Sequence, residues 1–284
     1  MTTIDIDGLK SWVGRSRTIR DAIRPAHAQA LIATLGRDDP PPQDGDPLPP
    51  LWHWTYFLQA TPRAELGRDG HAKLGGFLPP VPLPRRMWAG GRLWFERPLR
   101  FGEQADCTST IASVSAKEGR TGLLVFVLVR HEMVGAGGAA VVEEQDIVYR
   151  EAVPSGAQPP GQPAPDDATF SRTVVPDPVL LFRYSALTFN GHRIHYDLRF
   201  CTEEEGYPGL VFHGPLTATL LADLARDHRP GQRMTQYRFR AVRPLFDTRP
   251  FRICGRDKDG AVALFAVDPD GFLAMEAHAD FAPE

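Results

Sequence analysis

Three of the nine histidines in this chain, His192, His195 and His213, fall within one short span, among residues that can move protons. The run Leu181-Phe-Arg-Tyr-Ser-Ala-Leu-Thr-Phe-Asn-Gly-His-Arg-Ile-His-Tyr-Asp197 is followed by His213-Gly214-Pro215, which opens an apolar segment. An imidazole titrates near pH ~6.5, so His195 can exchange protons at neutral pH. The amide of Asn190 does not titrate but can hold a water in place. On a straight strand Asn190 and His195 would lie about 16 Å apart, at ~3.3 Å per residue. Asn190-Gly191 is a turn signal, because both residues tolerate positive φ, and a turn there brings the two side chains together. The pair could then add water to a polarised double bond, or remove it.

Such an addition places negative charge on a carbonyl oxygen, which needs donors. Gly214 stands at a predicted helix start, where free N–H groups and a positive partial charge collect. Its N–H is a candidate oxyanion donor, and the missing side chain lets a ligand approach. Other readings stand beside this one. His213 could cap or pack the helix. Asp197 could orient His195. Tyr184 could be a packed aromatic. His192, His195 and His213, with Asp197 and Glu203 to Glu205, could suggest a metal, but the spacing matches no common zinc pattern, and no metal is expected.

The rest of the chain must position these groups. A length of 284 residues with 42% hydrophobic content supports a sizeable core, in two domains or one large one. A net charge of −3 without a basic tail disfavours nucleic acid. Three cysteines, Cys107, Cys201 and Cys254, fit neither a disulfide framework nor structural zinc. No leader pattern and no run of membrane-spanning length is evident, so a cytoplasmic protein without membrane contact is expected.

In chain order, Pro25 opens a helix through Ala28, Leu31, Ile32 and Leu35, and Gly36 stops it. Residues 37–50, rich in proline and acidic side chains, read as a loop. Leu51 to Leu58 is an aromatic patch, either core packing or a wall for an acyl or adenine group. Residues 75–91 read as a long loop whose Arg85-Arg86 could meet phosphates or a carboxylate, or simply sit in solvent. Strands of an antiparallel meander follow from 92 to 149, then a Pro-rich linker. A helix runs from Pro215 to about His228, with a stripe of Leu216, Leu220, Leu221 and Leu224. Strands are predicted at roughly 233–243, 249–256, 261–267 and 272–281.

Arg97-Pro-Leu99 and Arg243-Pro-Leu245 each lead into the meander of their half. With the shared element order, this suggests duplication of one α+β unit: residues 1–152, a linker at 153–168, and residues 169–284 carrying the catalytic motif. A helix buried on a curled antiparallel sheet, repeated in tandem, is a double hot-dog.

The 182–197 run followed by His213-Gly-Pro215 resembles the hydroxyacyl-thioester dehydratase type 2 and mesaconyl-CoA hydratase branch of the MaoC-like hydratases. Pro49-Pro-Leu-Trp-His-Trp54, Gly76-Phe-Leu-Pro-Pro80, Arg85-Arg-Met-Trp-Ala-Gly90 and Val142-Glu-Glu-Gln-Asp146 extend the resemblance over nearly the whole chain. It implies a double hot-dog and reversible hydration of an enoyl thioester, with coenzyme A as part of the substrate and no separate cofactor. Typical R-specific enoyl-CoA hydratases carry Asp, then His five residues later. Here Asn190 takes the Asp position and His195 the His position, while His192 and Arg193 replace the usual Asn and Pro. The resemblance makes His195 the general acid/base, Asn190 the water-holding partner and Gly214 the oxyanion donor. Tyr184, His192 and His213 are assigned to substrate contact. The branch includes enzymes of branched C5 dicarboxylic CoA esters, whose free carboxylate calls for an arginine: Arg85, Arg86, Arg183 or Arg193.

A 3-hydroxyacyl-thioester dehydratase of fatty-acid type, a hot-dog thioesterase and a non-catalytic acyl-CoA binder are the competing readings. A thioesterase needs an acidic group on the hot-dog helix, and Asp223 and Asp227 lie far from Gly214 along it. A homodimer through the sheets is also compatible with the pattern.

Overall fold

The computed structural model describes residues 4–119, 122–151 and 161–283. Its elements run α1 (Ile6–Lys10), β1 (Ser16–Ala22), α2 (Pro25–Leu35), β2 (Arg85–Phe95), β3 (Gln104–Gly119), β4 (Gly122–Gly135), β5 (Gly138–Arg150), β6 (Phe170–Val174), α3 (Pro178–Leu187), α4 (Gly214–His228), β7 (Gln232–Ala241), β8 (Phe251–Lys258), β9 (Ala261–Val267) and β10 (Leu273–Pro283). All ten strands join one sheet in the order β1-β3-β4-β5-β2-β7-β10-β9-β8-β6. Read outward from the β2–β7 seam, each half places its second, fifth, fourth, third and first strand in turn. The order is therefore mirrored, and Arg97-Pro-Leu99 and Arg243-Pro-Leu245 follow equivalent strands. The sheet is antiparallel throughout, with β2 paired to β7 from Gly90↔Arg240 to Trp94↔Gln236. Residues 153–160 of the expected linker lie outside the described residues.

Helix α4 is the centre of the core. Every residue from Leu216 to Ala225 is buried, and the helix packs on β7, β8, β9 and β10. The stripe of leucines and alanines explains this: leucine supplies apolar area, and alanine lets the helix lie close to the sheet. Helix α2 forms where Pro25 and Gly36 place it, with Gly36 in the left-handed conformation at its end. It packs against α3 and the 52–55 turn, while Ala28, Leu31 and Ile32 reach the same core as α4.

Several elements differ from the sequence reading. The strand expected from 92 begins at Arg85, because β2 pairs on both sides, with β5 and β7. Helix α3 was not anticipated in the 181–197 run. Asp177 caps it, its Oδ1 accepting from the N–H groups of Val179 and Leu180 at 2.7 and 3.1 Å, and Pro178 follows at the first helical position. No extended strand carries Asn190 and His195. The chain leaves α3, makes a tight turn over Arg193–His195 and a π-turn over Phe200–Glu204, and then enters α4.

Candidate active site

The segment between α3 and α4 lines a cavity of about 1630 Å³ together with the long α2–β2 segment and β2 to β5. His195 is 7% exposed. Its Nδ1 lies 2.7 Å from the Val211 carbonyl oxygen, which can only accept, so Nδ1 carries the proton. Nε2 is therefore the basic nitrogen, and it bonds to nothing among the described residues. The ring stacks on His213 at 3.7 Å between centroids and meets the edge of His192 at 5.5 Å. Burial lowers the His195 pKa to about 4, against a smaller opposing effect of the Val211 carbonyl. The site thus holds a neutral imidazole at pH 7 with its tautomer fixed by the backbone.

This burial has a consequence for stability. Above pH ~6.5 His195 is neutral folded and unfolded, and its contribution is fully present. As pH falls below that, the unfolded chain takes up the proton first, and the contribution is lost progressively until the folded pKa near 4. Between those limits His195 alone costs about 3 kcal/mol of unfolding free energy. Urea unfolding at pH 7, 6 and 5 is expected to show the decline, with a shallower slope in His195→Gln.

Asn190 lines the same cavity as His195, but no hydrogen bond joins the two among the described residues. The Asn190 Oδ1 accepts from the His192 N–H at 3.0 Å, and the Asn190 N–H donates to the Ser185 carbonyl at 2.8 Å. The residue that turns left-handed is Phe189, φ 49°, and not Asn190 or Gly191. Close backbone approach explains the glycines at 70 and 191. Loop 66–72 of the first half docks here so closely that a Cβ on Gly70, φ 87°, would lie 1.9 Å from the Gly191 carbonyl oxygen, and a Cβ on Gly191 would lie 3.0 Å from the Gly70 carbonyl oxygen. The Arg193 N–H donates to the Asp69 carbonyl at 2.8 Å, and Arg68 forms an ion pair with Glu204.

That docking delivers two side chains the sequence reading did not single out. Asp69 Oδ2 lies 2.8 Å from His71 Nδ1 and 4.0 Å from His192 Nε2, and the His71 and His192 rings are 3.9 Å apart. Asp69-Gly70-His71, an acid and an imidazole around a glycine in a long loop, was the available signal. Its partners lie over 100 residues away and could not be read from spacing. Asp69, His71 and His192 offer ligand-type atoms within 4.8 Å of one another. Arg86 bears electrostatically on both histidines, however, which disfavours a further cation there. The metal set weighed from sequence does not assemble: Asp197 pairs with Arg193, Glu203 with Arg199, Glu204 with Arg68 and Glu205 with Arg85. Asp197 therefore does not orient His195, and the Val211 carbonyl does so instead.

Gly214 is the first residue of α4 and lines the cavity, with no atom within 4 Å of where a Cβ would stand. The first N–H groups of a helix have no intrahelical acceptor and point outward along the axis. His213 is fully buried and is not part of the cavity lining, which corrects its assignment to substrate contact. It backs His195, and its Nε2 lies 2.9 Å from Ser185 Oγ. Tyr184 is buried and lines the cavity, its hydroxyl near Thr219 but without a partner of hydrogen-bond geometry.

The structure separates the four arginines. Arg183 is exposed on α3 and does not line the cavity. Arg193 does not line it either, being held by Asp197 at 2.8 Å and lying over the Phe200 ring. Both corrections follow from local geometry: Arg183 sits on the exposed face of α3, and Arg193 in the turn that Asp197 closes. Arg85 reaches the cavity already paired with Glu205. Arg86 lines it beside Tyr149 and has no carboxylate partner among the described residues.

The aromatic patch divides between core and cavity lining. Trp52 is core, its Nε1 donating to Asp223 at 3.2 Å, and Trp54 and Phe57 form cavity wall. The buried Glu143 accepts from Trp54 Nε1 at 3.0 Å and lies 3.0 Å from His53 Nε2, so two of the stretches that carried the resemblance face each other. Asp223 lies near Arg37 at 3.7 Å and, like Asp227, is absent from the cavity lining, so α4 offers no carboxylate for thioester hydrolysis there.

A model of the hydroxyacyl-thioester dehydratase type 2 family matches residues 51–247. The chain is 48% identical over 268 residues to the mesaconyl-C(4)-CoA hydratase of Chloroflexus aurantiacus, covering 94% of this chain and 95% of that one. It is 29% identical over 236 residues to the mitochondrial hydroxyacyl-thioester dehydratase type 2 of Schizosaccharomyces pombe, covering 73% and 77%. Among solved structures, HtdX of Mycobacterium tuberculosis matches with a TM-score of 0.64 at 17% identity, over 94% of this chain and 100% of that one. A MaoC-like dehydratase from Phytophthora capsici matches with a TM-score of 0.66 at 13% identity, over 99% of each. At such identities the structural likeness speaks for the fold, a MaoC-like double hot-dog. Sequence similarity along most of the chain carries the rest: the protein belongs to the hydroxyacyl-thioester dehydratase type 2 family and is a hydro-lyase.

Proposed function

We propose that the protein reversibly hydrates a short, branched dicarboxylic enoyl-CoA, mesaconyl-CoA or itaconyl-CoA. One observation carries the choice of substrate: Arg86 lines the cavity with no carboxylate partner among the described residues, and its charge bears on both His71 and His192. In a C5 dicarboxylic thioester the free carboxylate lies only a few bonds from the double bond, so its arginine must stand close to the catalytic imidazole. Arg17, Arg63, Arg150 and Arg243 also line the cavity, and Arg86 is distinguished from them by its charge acting on His71 and His192. The relative at 48% identity is named a mesaconyl-C(4)-CoA hydratase, which supports the same reading.

In this reading the thioester oxygen meets the Gly214 N–H, and the Asn190 amide nitrogen holds the water. His195 Nε2 takes the water's proton as its oxygen bonds to the β-carbon. Ultraviolet absorbance assays with mesaconyl-, itaconyl-, crotonyl- and longer enoyl-CoAs test the substrate. The dicarboxylic thioesters are expected to turn over fastest. Arg86→Gln is expected to lower kcat/KM for them by about 10- to 100-fold, the loss of a hydrogen bond to a charged group, while changing crotonyl-CoA little. Equal losses on both classes would remove Arg86 from carboxylate recognition. The size of the cavity and its apolar Ile19, Val129, Met133 and Ile147 favour a second reading, a dehydratase of longer 3-hydroxyacyl thioesters. A faster rate on long chains in the same screen would select it.

A further inference from the structure

Hydration moves one proton twice: it leaves water at the β-carbon and must arrive at the α-carbon. The segment between α3 and α4 supplies two imidazoles for this, His192 and His195, but every carboxylate it carries is paired with an arginine. Asn190 cannot titrate, and its Oδ1 is engaged by the His192 N–H. Three carboxylates line the cavity among the described residues: Glu205 is paired with Arg85, Glu143 is held by His53 and Trp54, and Asp69 faces the histidines.

Asp69 is held firmly in that place. Its Oδ1 accepts from the His71 N–H at 3.1 Å, and its carbonyl accepts from the Arg193 N–H at 2.8 Å. The Arg68 carbonyl accepts from Arg193 Nη1 at 3.2 Å, and the Gly70–Gly191 contact closes the joint. From Asp69 a continuous row leads to the reacting base: His71 Nδ1 at 2.8 Å, His192 Nε2 at 4.0 Å, the His71–His192 rings at 3.9 Å, and the His192–His195 edge contact at 5.5 Å.

We propose that Asp69, acting through His71 and His192, is the carboxylate of the acid–base machinery, supplied by the first half of the chain where the catalytic segment carries only an amide. The inference rests on thioester hydration at this site but not on which thioester is used. His195 Nε2 takes a proton from water while the oxygen bonds to the β-carbon and the π electrons move onto the thioester oxygen as an enolate. That proton passes from His195 to His192, directly or through one water. His192 then delivers it to the α-carbon as the enolate collapses back to the carbonyl. Water is consumed, both imidazoles end neutral as they began, and no co-reactant is needed. Asp69 is a positioning residue: its negative charge stabilises the transient imidazolium, and its bond to His71 fixes the ring on which His192 lies. The groups facing His192 are His71, His195, Asp69 and Arg86. Those facing His71 are Asp69, His192 and Arg86, and those facing His195 are His192 and His213, with His71 acting on it at longer range.

The test compares wild type, Asp69→Asn and Asp69→Asn/Asn190→Asp on whichever enoyl-CoA the wild type turns over best, with thermal midpoints measured alongside. Asp69→Asn is expected to lower kcat by about 10²-fold, the lower range for a lost acid–base contribution, with KM within a few-fold. Its acid limb should move to lower pH, because removing the anion lowers the proton affinity of the histidines. The double variant is expected to regain at least about tenfold, since a carboxylate at 190 restores a charge beside the same row. A purely structural Asp69 would not be rescued from position 190. Asp69→Asn with more than half the wild-type kcat, an unmoved acid limb, or a loss that Asn190→Asp does not relieve overturns the proposal. Absence of turnover by the wild type on every thioester would count instead against hydration at this site.

Discussion

Replacing His195 with alanine is expected to lower kcat by about 10³-fold while KM changes by no more than a few-fold. The size follows from how completely the imidazole is prepared. Its Nδ1–H is committed to the Val211 carbonyl, its face is fixed by His213, and its Nε2 stays unprotonated down to a pKa of about 4. No reorganisation or change of protonation precedes the reaction at neutral pH. The same environment sets the sign of the pH dependence. A base works in its neutral form, so kcat/KM should hold steady from pH 7 toward 5 and fall tenfold per unit below about 4, where His195 takes up a proton. An acid limb near the ordinary histidine value of ~6.5 would show that a different, more exposed group is the base. Full activity in the alanine variant would remove His195 from the chemistry.

Gly214→Ala is expected to separate stability from activity. Gly214 begins α4, its φ is not among the positive ones, and a Cβ there meets no atom within 4 Å. Alanine is therefore accommodated by the fold, and lower unfolded-state entropy should stabilise it by about 0.4–1 kcal/mol. The open space, however, is the cavity itself. In the proposed mechanism a methyl group there stands where the thioester oxygen approaches the N–H, and blocking such a donor costs about 10²-fold in rate. The expected result is a thermal midpoint equal to or above wild type with kcat/KM reduced by about that factor, read from melting and steady-state kinetics on one preparation. A variant that keeps its activity would place the oxyanion elsewhere.

Much of the second half was legible because its signals are local. Gly214-Pro215 followed by leucines at helical spacing identified α4, and the strands after it lie within a few residues of the predicted ranges. The duplication was legible through Arg-Pro-Leu at equivalent places, which the mirrored strand order supports. Helix α3 left a readable trace, Asp177-Pro178, that the turn signal at Asn190-Gly191 overshadowed. Left-handed backbone fell instead on Phe189, because α3 ends just before it.

The sequence alone determined the chemistry available: an imidazole and an amide five positions apart, a helix start behind a histidine, and a resemblance that assigns roles to them. Those features are covalently local, so residue type and spacing encode them. Tertiary structure alone decided which groups meet across the chain. It sent Arg183 to solvent and Arg193 to Asp197, left Arg86 in the cavity, put His213 behind His195, and carried Asp69 and His71 from the first half to His192. The physical reason is that the two halves share one sheet through β2 and β7, so their long segments face each other over one cavity. Contacts made across that joint depend on packing and register and leave no periodicity along the chain.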